Sequence, residues 1–331
     1  MTPTALNKEL LVKIEKGLQS LDLPEFPTTL YEPYTYAISV GGKRIRPLLT
    51  MLSAGMCGGD PDDALPAALA VEILHNFTLV HDDIMDSADT RRGKPSVFKK
   101  WNENVAILSG DLMFADGIQK LNWYGTNDSY SKEEFAAIYE VYLQSVVTVC
   151  EGHAMDMEFV DRPEITLEDY IEMISGKTAA LLSSSLELGG ITAHASTDER
   201  ARLDQLGKEM GIAFQIQDDL LDAIANPEKF GKRPGGDIFE GKKTYLTILA
   251  LERANSDQKE VILNTLNSKK TDEASVNKVL ELMNELKVIE DVSEIVRKTY
   301  QNANDLIAQF NESKYRKELE NLLIFLQNRD H

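Results

Sequence analysis

Residues 64–80 read Ala64-Leu65-Pro66-Ala67-Ala68-Leu69-Ala70-Val71-Glu72-Ile73-Leu74-His75-Asn76-Phe77-Thr78-Leu79-Val80, and they run directly into His81-Asp82-Asp83-Ile84-Met85-Asp86. The apolar run reads as a helix over about Asp62 to Asp86, with its acids at the C-terminal end. On such a helix Asp82 and Asp86 share a face, and Asp83 is turned from Asp82 by about 100°. Carboxylates gathered on one face repel, so a fold that collects them needs cations. An all-oxygen set suits Mg²⁺, which keeps several waters and usually binds a substrate phosphate as well. Arg91 and Arg92 follow, and arginine is the residue type that grips a diphosphate.

One D-D-x-x-D is weak evidence, because an acidic, solvated helix end looks the same. The weight comes from a second copy, Asp218-Asp219-Leu220-Leu221-Asp222, preceded by Phe214-Gln215-Ile216-Gln217. It has the same spacing, again behind an apolar run. Two matching triads predict two carboxylate walls facing one space and holding a cluster of Mg²⁺ ions.

The composition narrows the partners. The chain has 331 residues, is 43% hydrophobic and 27% charged, and carries a formal net charge of −19. Apolar content is ample for a core, and the charge argues against nucleic acid and anionic membranes as partners. Against that background two basic groups stand out, Lys43-Arg44-Arg46 and Arg91-Arg92-Lys94, which suit a small anionic ligand. Cys57 and Cys150 lie in apolar surroundings and read as buried free thiols in a reducing compartment. The N-terminal stretch lacks a signal peptide's charged start and apolar core, and no run approaches a membrane-spanning length. A cytoplasmic protein without a transmembrane segment is the expectation.

The remaining pattern is helical almost throughout. Helices are predicted over about residues 4–20, 28–39, 46–57, 104–124, 131–159, from 166 through Gly176-Lys177-Thr178, and 197–225. Residues 226–242 form a Gly/Pro-rich loop with Lys229, Lys232, Arg233 and Lys242. Shorter helices fill 244–266, 273–286, 293–310 and 316–328. With no convincing boundary, residues 1–331 read as one all-α domain.

These residues support a definite chemistry. Two triads can hold Mg²⁺, Mg²⁺ can hold a diphosphate, and Arg91, Lys177 and Lys232, with Lys242 as a further candidate, could neutralise the same group. A diphosphate bound on several sides becomes a good leaving group. Its departure from an allylic carbon leaves a carbocation, which needs a dry apolar cavity. Thr78 and Phe77 lie about 6 and about 7.5 Å deeper than Asp82 along the helix, and the Phe77 ring is either a cavity floor or plain core packing. Lys43, Arg46, His75 and Arg92 suit a second phosphate-bearing substrate away from the metal. Asp111 and Asp116 read as surface or local-network acids, Trp101 and Trp123 as packing anchors, and Met155 and Met157 as core fillers.

The motifs together resemble the trans-isoprenyl diphosphate synthases, or polyprenyl synthetases. The resemblance is carried by Gly41-Gly42-Lys43-Arg44-Ile45-Arg46-Pro47, Glu72-Ile73-Leu74-His75, the stretch from Leu79 to Gly93, Gly176-Lys177-Thr178, Phe214 to Asp222, Gly231-Lys232 and Gly236-Asp237-Ile238, in the family's order. It implies an all-α, isoprenoid synthase-type helical bundle around a central cavity, usually a homodimer. It implies condensation of an allylic diphosphate (C5 to C15) with isopentenyl diphosphate and release of diphosphate. Asp82, Asp83, Asp86, Asp218, Asp219 and Asp222 match the metal-binding aspartates, with three Mg²⁺ ions when the allylic substrate is bound. Arg91, Lys177, Thr178, Gln215 and Lys232 match residues on the allylic side. Lys242 matches a further lysine there, but the loop before it is one residue longer than in some members, so Lys243 stays an alternative. Lys43, Arg46, His75 and Arg92 match the isopentenyl diphosphate site, and Asp82, Asp83, Asp86, Arg91, Lys177, Asp218 and Lys232 match the catalytic set.

Product length is expected to follow Phe77 and Thr78, the fifth and fourth residues before the first triad. One ring at the deeper position, with Phe114 on the next helix helping to close the cavity, points to geranylgeranyl diphosphate (C20). Farnesyl diphosphate (C15) is the alternative, and a longer polyprenyl product a more distant one. A terpene cyclase would not need the second basic site, a regulatory subunit of a heteromeric synthase would typically lose an aspartate motif, and an acidic interaction protein would not need the ordered basic residues.

Overall fold

The computed structural model describes residues 4–224, 234–268 and 271–329. They are helical almost throughout, as predicted. In chain order the helices are α1 (Ala5–Gln19), α2 (Thr28–Ser39), α3 (Ile45–Met56), α4 (Leu65–Met85), α5 (Val97–Lys100), α6 (Glu103–Gly125), α7 (Lys132–Asp161), α8 (Leu167–Ile174), α9 (Ala180–Thr192) and α10 (Thr197–Ile224). After residue 233 come α11 (Gly236–Phe239), α12 (Tyr245–Arg253), α13 (Ser256–Leu266), α14 (Glu273–Glu285), α15 (Val288–Ile307) and α16 (Lys314–Gln327). Among the described residues the strands are a two-residue hairpin, β1 (Thr90–Arg91) against β2 (Lys94–Pro95). No helix among them is long and apolar enough to cross a membrane.

The internal contacts divide the chain into two compact units. The first comprises Met1–Ser145, Leu181–Gln205 and Gln309–Glu320. Its centre is α4, apolar on nearly every side and therefore buried, with Val71, Ile73, Leu74 and Val80 each at most 3% exposed. Each such side chain contributes about 1.5–3 kcal/mol. Helix α6 runs antiparallel to α4: Gly110 faces His81, Phe114 faces Phe77, and the Tyr124 hydroxyl reaches the backbone at Asp63 and Ala67. The close approach requires small residues, since a Cβ on Gly110 would lie 2.3 Å from the His81 ring.

The second unit comprises Val146–Ala180, Leu206–Ala308 and Asn321–His331. There α12 packs on α8, α14 and α15, and Val276, Val279, Met283, Val292 and Ile307 are essentially fully buried.

The chain departs from expectation at several points. The helix predicted to run through Gly176-Lys177-Thr178 is interrupted by a π-helical turn, Ser175–Ala179, between α8 and α9. The backbone of α7 passes so close that a Cβ on Gly152 would lie 2.2 Å from the Lys177 nitrogen. Such bulges are frequent at functional sites. Cys150 is exposed, because it falls on an outward position of α7, while burial pushes the Cys57 thiol up to about 12. Met157 is 60% exposed and fills no core. Asp116 takes the network reading of the two expected for it: it is buried, accepting a hydrogen bond from the Tyr34 hydroxyl at 2.7 Å and pairing with Lys120. Helix α15 begins at Val288, before the predicted Ser293, where Lys287 takes a left-handed φ of 58°.

Candidate active site

In the first unit the acids sit where the helix least favours them. Asp82, Asp83 and Asp86 occupy the last turn and C-cap of α4, and that turn carries no base. Carboxylates there face the negative end of the helix dipole, a position that favours cations. Asp83 is 3% exposed and is gripped by Arg91, whose Nε and Nη2 donate to one carboxylate oxygen at 2.9 and 2.6 Å. Burial raises the Asp83 pKa even against that partner. Asp82 is partly accessible, with Arg91 3.9 Å away, and Asp86 is exposed.

The hairpin gives the neighbouring Arg91 and Arg92 different partners. Arg91 lies in β1, whereas Arg92 and Gly93 form the two-residue turn with φ of 53° and 74°. Both central residues at positive φ is the I′ geometry that suits a tight hairpin. Arg92 lays its guanidinium against Gly42, where a Cβ would stand 2.8 Å from it. Gly42 itself has a φ of 151°.

Beside it, Arg46 Nη1 lies 3.2 Å from His75 Nε2. Burial first, then Arg46 and Arg92, holds the His75 pKa well below the ordinary imidazole value, so the ring is neutral. Burial and the nearby Arg92 bring Arg46 down to about 10, and its Nε is buried without a protein partner. Arg46, His75 and Arg92 thus form a cluster with surplus positive charge and an unused donor, the electrostatics of an anion site. Lys43 is exposed in the loop leading to it.

The second triad repeats the first. Asp218, Asp219 and Asp222 fall in the last two turns of α10, again without a base in the last turn. The middle acid is again the buried one. Asp219 is 6% exposed and accepts from the Tyr170 hydroxyl (2.5 Å), the Tyr245 N–H (3.1 Å) and Gln215 Nε2 (3.3 Å). Burial nevertheless pushes it up to about 7. Thr178 donates to Gln215 at 3.0 Å, so the π-turn and α10 are joined through one amide. Lys177 reaches Asp156 at 2.7 Å.

Asp222 accepts from the Asp237 N–H at 3.0 Å, and Asp237 pairs with Lys242 at 3.2 Å. Lys243 instead donates to the carbonyls of Phe159, Val160 and Arg162 at the end of α7. Of the two lysines the sequence left open, Lys242 is therefore the one beside the triad. Arg329 pairs with Asp218 at 3.2 Å and stacks on the Phe214 ring at 3.7 Å, contacts with no warning in the sequence. Tyr170 and Tyr245 are likewise without a local signal, since their role depends on chain crossings. Lys232, expected on the allylic side, lies outside the described residues.

Among the described residues no three His, Cys, Asp or Glu side chains form a ready-made metal cage. Mg²⁺ is usually held by one or two carboxylates and by substrate phosphates. Asp86 and Asp218 are exposed and Asp82 and Asp222 partly so, and the helix dipole adds a need for positive charge at each.

The polyprenyl synthetase family model matches residues 27–283. The chain belongs to the polyprenyl synthetase family. It is 41% identical to geranylgeranyl diphosphate synthase from Saccharolobus solfataricus, over 86% of this chain and 81% of that one. It is 38% identical to the short chain isoprenyl diphosphate synthase of Methanothermobacter thermautotrophicus, over 92% of each. The solved geranylgeranyl pyrophosphate synthetase of Pyrococcus horikoshii superposes with a TM-score of 0.90 at 38% identity, covering 98% of both chains. The all-α fold is the family's, and the chain is a prenyltransferase of isoprenoid synthesis, using isopentenyl and allylic diphosphates. Members of the family depend on magnesium.

Proposed function

We propose that the chain is a geranylgeranyl diphosphate synthase, adding isopentenyl diphosphate to allylic diphosphates of C5 to C15 and releasing diphosphate at each step. The observation that carries the condensing reaction, against a cyclase, is the second anion pocket: Arg46, His75 and Arg92, with an unpartnered buried Arg46 Nε. A cyclase handles one diphosphate and has no use for it. Both intact triads argue against a regulatory subunit.

In this reading Asp82, Asp86 and Asp218 hold Mg²⁺, three ions with the allylic diphosphate bound. Asp83 and Asp219, buried and hydrogen-bonded, set the carboxylates beside them, and Asp222 works with Asp237 and Lys242. Bound magnesium supplies charge neutralisation of the leaving diphosphate. Arg91, Lys177, Thr178, Gln215, Lys232 and Lys242 bind and orient that same group from the protein side. Lys43, Arg46, His75 and Arg92 hold isopentenyl diphosphate, with neutral His75 able to share a proton with a phosphate oxygen. The allylic C–O bond breaks, the isopentenyl alkene attacks the cation, and the proton lost in forming the new double bond passes to the released diphosphate.

The C20 end point rests on the names of the relatives and on Phe77, whose ring meets His81 at 4.8 Å and Phe114 at 5.7 Å between centroids. Thr78 bonds the His75 carbonyl at 2.8 Å and adds no bulk. Farnesyl diphosphate is the second reading, if the two phenylalanines close the cavity one unit earlier. A homodimer is part of the proposal, supported by Ile107 (42% exposed), Leu108 (57%) and Leu143 (38%) on α6 and α7. The neighbouring arginines test the assignment. Arg92→Lys should raise KM for isopentenyl diphosphate alone, and Arg91→Lys should raise KM for the allylic substrate and lower kcat. Identical effects of both would overturn the two-pocket reading.

A further inference from the structure

Lys43, Arg44 and Arg46 read as one basic group in the sequence, but the fold separates them. Arg44 is 4% exposed, and its backbone is left-handed, with φ of 50° and ψ of 37°, a conformation arginine rarely adopts. Its guanidinium is fully engaged inside the first unit. Nε donates to Glu15 on α1 at 2.8 Å, Nη1 to Glu72 on α4 at 2.6 Å, and Nη2 to the Ile38 carbonyl on α2 at 2.8 Å. One side chain at the start of α3 therefore ties three other helices together. Such backbone strain persists only where the surroundings over-determine it, as they do here.

The partner on α4 is equally enclosed. Glu72 is 2% exposed and also accepts from Asn76 Nδ2 at 3.3 Å. It lies one turn from His75 on the same helix. Its charge supports the ionised forms of Arg46 and Arg92 as well as Arg44, so one buried carboxylate underlies three arginines. Such a cluster keeps its arginines charged and close together, while leaving net positive charge for an anion.

We infer that the buried Arg44–Glu72 pair is a positioning device for the isopentenyl diphosphate pocket, fixing the loop that carries Lys43 and the first turn that carries Arg46 against His75. The inference rests on the assignment of that pocket under Proposed function. Arg44 itself touches no substrate; it acts through Arg46 and Lys43. A pair that merely held helices together would lower the melting temperature and the folded fraction, and hence the apparent kcat, without selecting between substrates.

The test is initial-rate kinetics of Arg44→Lys with each substrate varied in turn, with Glu15→Gln and Arg92→Lys alongside. Lysine keeps the charge but cannot make the three-way brace. Arg44→Lys should raise KM for isopentenyl diphosphate about 10-fold, with kcat and KM for farnesyl diphosphate within about 2-fold. Glu15→Gln removes only the outermost, 40% exposed partner, and should raise the same KM about 2-fold even if Arg44→Lys folds poorly. The inference is overturned if neither variant moves that KM while Arg92→Lys does, or if both substrates' KM values rise equally. If Arg92→Lys also leaves KM for isopentenyl diphosphate unchanged, the pocket assignment fails and takes the inference with it.

Discussion

Phe77→Ala is the most informative single change for product length. Phe77 lies five residues before Asp82, so its Cα is about 7.5 Å from that acid along the α4 axis. Its ring packs on Phe114 from α6 at 5.7 Å between centroids, and under the proposed function the two form a paired barrier. The next bulky residues down the helix are Ile73 and Leu74, at most 1% exposed, one turn or about 5.4 Å deeper. Removing the ring therefore lowers the floor by about the length of one five-carbon unit, and the principal product should shift from C20 to C25. Removing Phe114 as well should lengthen it further. A wholly buried Phe→Ala change costs about 3–5 kcal/mol, and half-buried Phe77 should cost about 2 kcal/mol. The assay is mass spectrometry of the diphosphate products with farnesyl diphosphate and excess isopentenyl diphosphate, beside a thermal melt. A variant that melts earlier, as expected, yet still stops at C20 would refute the reasoning, because the ring would then be core packing and no ruler.

The unfolded imidazole titrates near pH 6.5, and folded His75 titrates well below that, so on acidification the unfolded chain takes up its proton first. The stability from neutral His75 is complete above about pH 6.5 and is lost as pH falls below it; melts from about pH 8 to about pH 5 should show His75→Gln flattening this decline. Lys242→Met should lower kcat by about 10-fold or more with little change in melting, whereas Lys243→Met should mainly destabilise, because it uncaps the α7 carbonyls. Arg329→Gln should tighten Mg²⁺ binding with inorganic diphosphate by at most about 5-fold in calorimetry, since Asp218 then loses a competing cation; weaker binding would show that Arg329 presents Asp218 to the metal instead.

Much of the fold was legible because α4, α6 and α10 are long, and helical period is a local property. The triads were legible through their spacing. Three features were not. The π-turn at Ser175–Ala179 arises from the close crossing at Gly152 and Gly176, which no local pattern announces. The buried middle acids, Asp83 and Asp219, differ from their neighbours through Arg91, Tyr170 and Tyr245, residues brought in by folding. Arg44 could not be told from Lys43 and Arg46 by charge, because its burial depends on acids on α1 and α4. The misplacement of Cys150 and Met157 has one cause: apolar neighbours in sequence were read as a core, but α7 presents those positions outward.

The central claim is that this chain joins isopentenyl diphosphate to an allylic diphosphate. The direct measurement is mass spectrometry after incubating the protein with Mg²⁺, farnesyl diphosphate and isotopically labelled isopentenyl diphosphate. The account predicts a C20 allylic diphosphate carrying one label, one released diphosphate per product, and no product in chelator. Farnesyl diphosphate consumed without incorporation of label, or no prenyl product from any allylic primer, would contradict it.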